Sequence, residues 1–444
     1  MTFESTRGRS ARVGFAEAVF RGLADDGGLY HPTAPPDLAA LFRALDPEAP
    51  FAETARRVAL ALFGDSLGRE SVERVVRRAF TFEPRLVAAD ERRLVLELFH
   101  GPSYAFKDFG ASFLAAAMEE MLAAKGGEAC ILVATSGDTG SAVARAFHGR
   151  RGVRVVILYP SGRVSRLQEM QLTTLGGNVT ALEVKGSFDD CQRMAKEAFL
   201  DRGLSGEMHL TSANSISLGR LLPQTFYYIH AATALRRLRA GGSAPWFCVP
   251  SGNFGNLTAG VYAWQWGLPV AGFVAATNAN DVVPEYLAGG AYRPRPSVQT
   301  LSNAMDVGNP SNFERLLAIF GGSAERMRAL LHPEVVTDAE TLATIRDVRE
   351  RHGLLLDPHT AVGWKATERL IGRLEKKGEP FFGRVIILAT AHPAKFVETI
   401  REATGSEPDL PQGLAEAMRA TKHSTLIEAT LEALKRALRV LPRP

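Results

Sequence analysis

The chain has 444 residues and a formal net charge of +4 at pH 7, and this length allows two or three domains around a large core. Hydrophobic residues make up 46% of the chain and charged residues 23%, which is the balance of an ordinary globular protein. No segment combines clustered lysine and arginine with interleaved aromatic residues, and no apolar run approaches a membrane span. Nucleic-acid binding and membrane binding therefore have little support.

Cysteine and histidine usage gives no sign of a disulfide framework or a metal site. The three cysteines, Cys130, Cys191 and Cys248, lie far apart and form no CxxC pair. The ten histidines show no HExxH or other ligand spacing. The N-terminal residues lack the apolar segment of a secretory signal, so we expect a cytoplasmic protein with reduced cysteines and no metal.

The predicted elements change in character along the chain. Residues 1–93 are predicted to be mainly helical, with helices at FAETARRVALALF and SVERVVRRAF. From about residue 94, apolar strand-length runs alternate with amphipathic helical patterns. The predicted strands are LVLELF, ACILVAT, VRVVILYP, VTALEV, WFCVPS, VAGFVAAT and RVIILAT. This alternation predicts an α/β fold with two parallel sheets, and the C-terminal run STLIEATLEALKRALRVL is predicted as a helix.

Lys107 lies where a helix is predicted to begin. Turn residues precede it in FHGPSYAFKDFGASF, and the apolar residues after it have helical spacing. The free N–H groups of a helix start disfavour a cation, and Phe106 and Phe109 flank the lysine, so we expect a lowered pKa. A lysine of lowered pKa is a nucleophile able to form a Schiff base. The alternative is a solvated surface lysine.

Three predicted strand ends carry loops rich in glycine and small polar residues: TSGDTGSA (135–142), SGNFGN (251–256) and TAHPAKF (390–396). In parallel sheets, ligands bind at the carboxyl ends of the strands, often against a helix N-terminus. Gly252 and Gly255 would let the backbone approach a phosphate, and the Thr390 hydroxyl would lie at a strand end. Each loop also has a simpler interpretation, because glycine, serine and aspartate favour turns.

The loops and the lysine are more informative together. The glycine loop is neither GxGxxG nor GxxxxGK[ST], which argues against a nicotinamide dehydrogenase or a P-loop NTPase. A Schiff-base lysine, a glycine loop for a cofactor phosphate and a second anion loop for a substrate are the features of a pyridoxal-phosphate enzyme. A neutral hydroxyl such as that of Thr390 could face the ring nitrogen.

Longer motifs run along nearly the whole chain: GLADDGGLYHP, ELFHGPSYAFKDFG, ATSGDTGSAVA, VVILYPSGRVS, NSISLGRLLPQ, VPSGNFGNLTAG, TLSNAMDVGNPSNFERL, DPHTAVG and ATAHPAKF. In this order they resemble the motifs of the bacterial and fungal threonine synthases, in the tryptophan-synthase-β group. The resemblance implies pyridoxal-phosphate fold type II, with two parallel-sheet α/β domains and a mainly helical N-terminal domain. The implied divisions are an N-terminal domain (1–93), a large cofactor domain (94–127 and 215–405), a small domain (128–214) and a C-terminal helical tail (406–444).

The resemblance also implies roles for individual residues. Lys107 resembles the family's Schiff-base lysine and catalytic residue, and Thr390 resembles the hydroxyl that faces the pyridine nitrogen. The implied cofactor-phosphate cradle is Ser251, Gly252, Asn253, Phe254, Gly255 and Asn256. The implied substrate-binding residues are Thr135, Ser136, Asp138 and Thr139 for the carboxylate, and Arg163, Ser212, Asn214 and Arg220 for the phosphate.

Several of these residues keep structural alternatives. Arg163 and Arg220 could be surface cations, and Ser212 and Asn214 could cap the following helix. His359 and His392 lie in matching motifs, where a core role and a catalytic role are both open. The chain departs from the family pattern at Ser103, Tyr104, Arg163 and Asn256, where relatives often have threonine, leucine, lysine and aspartate.

The implied activity is the last step of threonine biosynthesis, in which O-phospho-L-homoserine and water give L-threonine and phosphate by γ-elimination and β-addition. The implied partner is this small-molecule substrate, and we expect a monomer or homodimer that binds neither nucleic acid nor membrane. A threonine or serine dehydratase, or a phospho-lyase that forms 2-oxobutyrate, would share Lys107 and the loops. A binding protein without catalysis and a nucleotide binder without pyridoxal phosphate are the more distant alternatives.

Overall fold

The structure is a computed structural model that describes residues 1–135, 137–238, 243–378, 381 and 383–441. The first elements are β1 (Thr2–Ser5), β2 (Val13–Gly14), α1 (Phe15–Arg21), β3 (Tyr30–Pro32), α2 (Ala39–Arg43), α3 (Phe51–Leu67), α4 (Arg69–Ala79), β4 (Arg85–Ala88), β5 (Arg93–Glu97) and α5 (Lys107–Lys125). Next come β6 (Ala129–Ala134), α6 (Asp138–Phe147), β7 (Val153–Pro160), α7 (Arg166–Thr173), β8 (Val179–Lys185), α8 (Phe188–Leu200), α9 (Arg202–Met208), β9 (Leu210–Thr211), α10 (Leu218–Leu221) and α11 (Thr225–Leu235).

The chain continues with β10 (Trp246–Pro250), α12 (Gly255–Gln265), β11 (Gly272–Thr277), α13 (Val282–Leu287), α14 (Phe313–Ile319), α15 (Ala324–Arg328), β12 (Leu331–Val335), α16 (Asp338–His352), α17 (Pro358–Lys376), β13 (Val385–Ala389) and α18 (Val397–Thr404). The last elements are α19 (Gln412–Arg419), β14 (Thr425–Glu428) and α20 (Leu431–Arg439). Short 3₁₀ turns occur at Leu222–Gln224, Arg236–Leu238, Asn303–Met305 and Pro393–Lys395.

Two sheets form the frame of the molecule, as the sequence predicts. The larger sheet has the strand order β12-β11-β10-β13-β5-β4 and is parallel except for the edge strand β4. The smaller sheet has the order β14-β8-β7-β6-β9 and is parallel throughout. Because the carboxyl ends of parallel strands share one edge of a sheet, the loops after β10 and β13 are neighbours, as are those after β6 and β7. These edges carry the candidate site.

The N-terminal helices cover the helix that begins with Lys107. The rings of Phe51 and Phe109 pack edge to face at 5.2 Å, and those of Phe63 and Phe113 lie 5.4 Å apart. Phe80 joins the same cluster through contacts with Phe51, Phe109 and Phe113. Aromatic pairs of this kind each add about 0.5–1.5 kcal/mol to the energy of burial. The N-terminal region therefore holds α5, and with it Lys107, in place.

The C-terminal run predicted as one helix contains a strand. Residues Thr425–Glu428 form β14, which pairs with β8 at the edge of the smaller sheet, and only the following residues are helical. The prediction of a single helix is wrong here because the open edge of β8 supplies main-chain partners that the local pattern does not reveal. Ile427 packs into the core of the small domain. Within the described residues, none of the helices has the length and apolarity needed to cross a membrane.

The domain boundaries stay a prediction. Strand pairing links segments on opposite sides of two of these boundaries. β4 belongs to the larger sheet although it precedes residue 94, and the first three strands form a small antiparallel sheet of their own. β14 joins the tail to the small domain.

Candidate active site

Lys107 is the first residue of α5, and its side chain is only 17% exposed. Burial lowers the pKa of Lys107, because the ammonium form loses its hydration. The charge of Asp138 opposes this shift, whereas the cations Lys395 and Arg220 reinforce it. The lysine is therefore set up to present a neutral amine, and the alternative of a solvated surface lysine is wrong.

Asp138 lies between two lysines. Its Oδ2 is 3.7 Å from Lys107 Nζ, and its Oδ1 is 2.5 Å from Lys395 Nζ. Lys395 also donates a hydrogen bond of 2.9 Å to the main-chain oxygen of Ser103. Burial alone would raise the pKa of Asp138, but Lys395 and then Lys107 outweigh that effect and lower it. Asp138 is therefore an anion held by cations on both sides.

The turn before Lys107 is fixed by main-chain hydrogen bonds. The N–H of Ser103 donates to Asp108 Oδ2 over 2.9 Å, and a Cβ on Gly101 would lie 2.5 Å from the same oxygen. The N–H of Phe106 donates to the main-chain oxygen of Thr390 over 2.9 Å. These contacts tie the lysine to the loop that follows β13.

Tyr104 takes a strained conformation in this turn. Its φ of 58° lies in the left-handed region, which costs a residue with a side chain roughly 1–2 kcal/mol. The main-chain oxygen of Tyr104 accepts from the N–H of His392, so the turn and the β13 loop are joined at the strained residue itself and again at Phe106. Backbone strain of this kind persists where the surroundings hold it in place.

The glycine loop after β10 runs very close to a neighbouring segment. A Cβ on Gly252 would lie 2.6 Å from the Cα of Met305, so no larger residue fits without backbone movement. Phe254, immediately before α12, has a φ of 59°. The N–H of Ser251 continues the sheet pattern by donating to the main-chain oxygen of Ala276. The loop is therefore tightly placed against both the sheet and the 302–306 segment.

The main-chain N–H groups of this loop are free. Those of residues 252–257 form no hydrogen bond to any part of the chain that the structure describes. They stand at the N-terminus of α12, an 11-residue helix whose dipole favours an anion there. A group of free N–H donors at a helix start is suited to a phosphate.

Two asparagine side chains support this loop. Asn253 Nδ2 donates to Ser215 Oγ and so connects the loop to the segment before α10. Asn256 Oδ1 accepts from the hydroxyls of Tyr227 and Tyr228 over 2.6 and 2.7 Å. The loop therefore presents main-chain donors outward while its side chains are bonded inward.

The two histidines of the matching motifs hold loops. His359 Nε2 accepts from the N–H of Ala304 over 3.1 Å, and its Nδ1 lies 2.8 Å from Asp357 Oδ1. This arrangement places the proton on Nδ1 and supports the segment that packs on the glycine loop. His392 Nδ1 accepts from the N–H of Ala394, and burial lowers the pKa of His392. Both contacts favour the structural alternative for these residues.

Thr390 lies at the end of β13 and is 6% exposed. Its main-chain oxygen is bonded to Phe106, but its hydroxyl makes no hydrogen bond among the described residues. A free hydroxyl beside the lysine loop is what a neutral partner for a ring nitrogen requires.

The loop after β6 is shaped by Thr135. Its Oγ1 accepts from the N–H groups of Gly137 and Gly140 and donates to the main-chain oxygen of Gly137. The Thr135 side chain therefore forms the turn, and the loop's other predicted hydroxyls are those of Ser136 and Thr139. Thr139 is half-buried at the start of α6, and Ser136 lies outside the described residues.

Arg220 stands beside the predicted Ser212–Asn214 segment. It is 3% exposed, and its guanidinium donates to the main-chain oxygen of Ala213 over 2.7 Å. Ser212 Oγ accepts from the N–H of Asn214, whose own Oδ1 accepts from the N–H of Ile216. The structure therefore brings these three predicted residues together around one loop, and the surface alternative for Arg220 is wrong.

The position of Arg220 depends on close packing against α5. A Cβ on Gly110 would overlap the main-chain oxygen of Arg220, so α10 crosses α5 one turn after Lys107. Burial lowers the pKa of Arg220 to about 10, and the nearby Asp108 opposes the shift. Even so, the guanidinium carries its charge at neutral pH.

Arg163 differs from the other predicted phosphate residues. It lies in the exposed turn between β7 and α7, where its N–H bonds to the main-chain oxygen of Pro160. Its side chain forms no ion pair or hydrogen bond within the residues described. The solvated alternative therefore stays open for Arg163.

Three family models together match almost the whole chain. The matches are "Threonine synthase N terminus" over residues 2–80, "Pyridoxal-phosphate dependent enzyme" over 85–391 and "Threonine synthase, C-terminal" over 360–438. A threonine synthase of Serratia marcescens is 40% identical, and the alignment covers 100% of both chains. The chain belongs to the threonine synthase family.

Solved structures of threonine synthases agree with this. A pyridoxal-phosphate-bound threonine synthase of Brucella melitensis has 38% identity and a TM-score of 0.91, with 99% of each chain covered. The yeast threonine synthase has 33% identity and a TM-score of 0.88, covering 99% of this chain and 98% of its own. The predicted family and the predicted α/β fold of type II are confirmed.

The residues present fit the cofactor of this family, pyridoxal phosphate. A buried lysine of lowered pKa can bond an aldehyde, and the free N–H groups of residues 252–257 can hold a phosphate. The free hydroxyl of Thr390 can face a ring nitrogen without adding charge. The N–H groups of the loop and the Thr390 hydroxyl have no partner among the described residues, and the contact of Lys107 with Asp138 is long, at 3.7 Å.

Several buried polar atoms in the turn before Lys107, in α5, α6 and α7, and at α10 have no partner in the described part of the chain. They are Ser103 Oγ, Asp108 Oδ1, Ser141 Oγ, Gln171 Oε1, Ser217 Oγ and Arg220 Nε. Buried polar groups are rarely left unpaired, so this concentration is typical of a ligand site. Of these residues the motifs identified only Arg220 as a ligand, because the others lie in turns and helices without a distinctive pattern.

The sequence interpretation also missed Lys395 as a functional residue. The signal was present in TAHPAKF, where a lysine between Ala394 and Phe396 follows Thr390 in the same strand-end loop. Its contact with Ser103 joins residues 292 positions apart. Such a contact is beyond the reach of a local pattern.

Proposed function

We propose that the chain converts O-phospho-L-homoserine and water to L-threonine and phosphate. The observation that carries the proposal is that two separate anion-binding sets accompany one lysine whose pKa is lowered by burial. The first set is the free N–H loop at α12, and the second contains the buried guanidinium of Arg220. A dehydratase acting on an unphosphorylated amino acid needs only the first set.

Lys107 is the residue that moves protons. At rest its Nζ would bond the aldehyde carbon of the cofactor, which its low pKa and buried position favour. With cofactor and substrate bound, the Lys107 amine would be placed to act as base and acid at Cα, Cβ and Cγ of the substrate. When bound, pyridoxal phosphate supplies a ring that delocalises the negative charge left on the substrate carbon.

The α12 loop and Thr390 hold the cofactor. The N–H groups of residues 252–257 would bind its phosphate, with Ser251, Asn253 and Asn256 fixing the loop. The Thr390 hydroxyl, being neutral, would leave the ring nitrogen largely unprotonated.

The remaining predicted residues bind the substrate. We assign the phosphate to Arg220, Ser212 and Asn214, with Arg163 at the outer edge of this set. Charge-assisted contacts from a buried guanidinium are among the strongest that a phosphate can make. The departure of this phosphate from Cγ then occurs beside fixed donors, which excludes water from the leaving group.

The loop after β6 would bind the substrate carboxylate. Thr135 shapes its turn, and the hydroxyls of Ser136 and Thr139 with the start of α6 would act as donors. Asp138 carries a negative charge, so its side chain faces the lysines and not the carboxylate.

We further propose that the protein acts in the cytoplasm as a monomer or homodimer without nucleic-acid or membrane partners. Its three cysteines are free and buried, which suits a reducing compartment. The modest net charge of +4 supports a small anionic substrate better than a polyanion.

The test is product identification. Purified protein loaded with pyridoxal phosphate is incubated with O-phospho-L-homoserine, and the organic product and free phosphate are measured together. We expect equal amounts of threonine and phosphate, and no turnover by Lys107→Ala. Phosphate with 2-oxobutyrate would instead make the protein a phospho-lyase, and no product would leave a binding protein.

A further inference from the structure

Lys395 is a second buried lysine at the site, and neither its position nor its charge is used by the steps above. Its side chain is fully buried, at 0% exposure. Its Nζ contacts Asp138 Oδ1 at 2.5 Å and the main-chain oxygen of Ser103 at 2.9 Å. Burying a charge is costly, so an uncompensated lysine in this place would not persist.

We propose that Lys395 is a positioning residue: it occupies Asp138 as a counter-ion and so leaves Lys107 an uncharged amine, free to bond an aldehyde. Asp138 lies in reach of both lysines but is much closer to Lys395 than to Lys107, at 2.5 Å against 3.7 Å. The inference rests on the proposed role of Lys107.

The hydrogen bond from Lys395 to Ser103 determines that Lys395, and not Lys107, pairs closely with Asp138. Ser103 lies in the turn before α5, and its oxygen also accepts from Gln171. Lys395 is the last residue of a 3₁₀ turn, where its own N–H bonds to the main-chain oxygen of His392. Because Lys395 is held at both ends, its ammonium group stays on the Oδ1 side of Asp138.

The charges that face Lys107 explain how the pairing of Lys395 with Asp138 affects the proton on Lys107. Asp138 favours its ammonium form, and Lys395 and Arg220 oppose it. Asp108 faces Arg220 and Lys395, and His359 faces Asp138. Without Lys395, Asp138 would be a buried anion whose nearest cation is Lys107. Lys107 would then hold its proton to higher pH and react more slowly.

One loop carries two of the residues that this arrangement needs. Thr390 and Lys395 come from one loop after β13, so the segment that offers the ring-nitrogen hydroxyl also supplies the counter-ion. Asp138 begins α6, where the helix dipole already favours an anion. A displacement of that loop would therefore alter cofactor contact and lysine charge together.

The experiment measures capture of pyridoxal phosphate by the full-length chain stripped of cofactor, followed by visible absorbance from pH 6 to 10. We expect Lys395→Met to raise the midpoint of the capture rate by about one pH unit, which is about tenfold slower capture at pH 7. Lys395→Arg keeps the charge and should stay near the wild-type midpoint. Lys435→Met is the matched control. It removes a lysine of the C-terminal tail that pairs with Asp201, and the capture midpoint should stay at the wild-type value.

A second variant covers the case in which Lys395→Met does not fold. Asp138→Asn removes the acid and keeps both lysines, so the midpoint should move down, and the double variant Lys395→Met, Asp138→Asn should return toward wild type. A merely structural Lys395 would change the unfolding midpoint in urea without changing the capture midpoint. A wild-type capture midpoint in folded Lys395→Met, or in Asp138→Asn where Lys395→Met does not fold, would overturn the proposal.

Capture requires no substrate, so the two proposals fail separately. A chain that captures pyridoxal phosphate with the expected pH shifts but forms no threonine would overturn the proposed function and leave this inference standing. If the chain forms threonine but Lys395→Met captures pyridoxal phosphate with the wild-type midpoint, the proposed function stands and this inference is overturned.

Discussion

The main-chain N–H of Phe106 donates to the main-chain oxygen of Thr390 over 2.9 Å. This one bond sets the residue before Lys107 against the end of β13, so the lysine and the Thr390 hydroxyl belong to one rigid unit. The hydroxyl itself is not used in the contact. Cofactor chemistry at this site therefore depends on main-chain geometry that side-chain substitution at Thr390 would leave intact.

Gly252→Ala is expected to weaken cofactor binding strongly. The new Cβ would lie 2.6 Å from the Cα of Met305, so the loop must shift and its N–H groups lose their alignment. Overpacking of this kind costs roughly 1–3 kcal/mol, or about fivefold to 150-fold in the dissociation constant of pyridoxal phosphate. The dissociation constant is measured by absorbance titration.

Gly372→Ala in α17 is the matched control for this prediction. A Cβ there meets nothing within 4 Å, and alanine is the better helix former. It should bind pyridoxal phosphate normally and unfold at slightly higher urea. Equal affinities in the two variants would show that the glycine loop does not contact the cofactor.

Arg220→Lys tests the substrate-phosphate site. Lysine keeps the charge but cannot both hold the main-chain oxygen of Ala213 and offer a second N–H to a phosphate. We expect kcat/KM for O-phospho-L-homoserine to fall about a hundredfold, which corresponds to about 3 kcal/mol of transition-state binding. The affinity for pyridoxal phosphate should stay within twofold of wild type.

The outcome at Arg220 separates two roles. If affinity for pyridoxal phosphate falls together with kcat/KM, Arg220 supports the cofactor loop through its contact with residue 213 and does not bind the substrate. Lys185→Met, at an exposed ion pair with Glu428 on the edge of the small sheet, controls for loss of a cation alone.

The sequence was sufficient for the parts of the site that are built locally. The apolar runs predict seven strands, β5, β6, β7, β8, β10, β11 and β13, but not β4, β9, β12 or β14 of the same sheets. Spacing and turn residues predict the helix start at Lys107 and the glycine loop. These features depend on contacts between near neighbours in the chain, which a local pattern records. The sequence predicts the lowered pKa of Lys107 from the helix start and from the flanking phenylalanines. In the structure, burial is the largest cause of the shift.

Other parts were decided by long-range contacts. Residues Thr425–Glu428 became a strand because β8 offered an open edge, although their apolar spacing also suits a helix. Arg220 is predicted as a phosphate ligand with a surface cation as the alternative, and only the close approach allowed by Gly110 shows that it is buried. Lys395 was overlooked because its partners lie in two other loops. Such choices depend on the folded arrangement of distant segments.

Lys422 links the C-terminal tail to the small domain. It pairs with Glu169 over 2.6 Å and with Glu183 over 2.7 Å, and Tyr159 donates to both carboxylates. Lys422→Met would leave two neighbouring anions without their cation, so we expect a loss of about 1 kcal/mol in the free energy of unfolding. The loss should shrink in 1 M salt, and equal stability at low and high salt would contradict it.

Asp108 gives the protein a distinctive pH dependence. Burial raises the pKa of Asp108 to about 6, whereas the unfolded chain releases this proton near pH 4. Between these values the folded state binds the extra proton, so this residue makes the free energy of unfolding fall as pH rises. The full effect is about 3 kcal/mol, lost between about pH 4 and pH 6 and constant above.

Asp108→Asn isolates that contribution. Asparagine keeps an acceptor for the N–H of Ser103 but cannot titrate. Urea unfolding of both proteins at several pH values should show the variant gaining about 3 kcal/mol relative to wild type between pH 4 and pH 7. A difference that stays constant with pH would mean that Asp108 titrates normally in the folded state, because the surrounding cations Arg220 and Lys395 balance the effect of its burial.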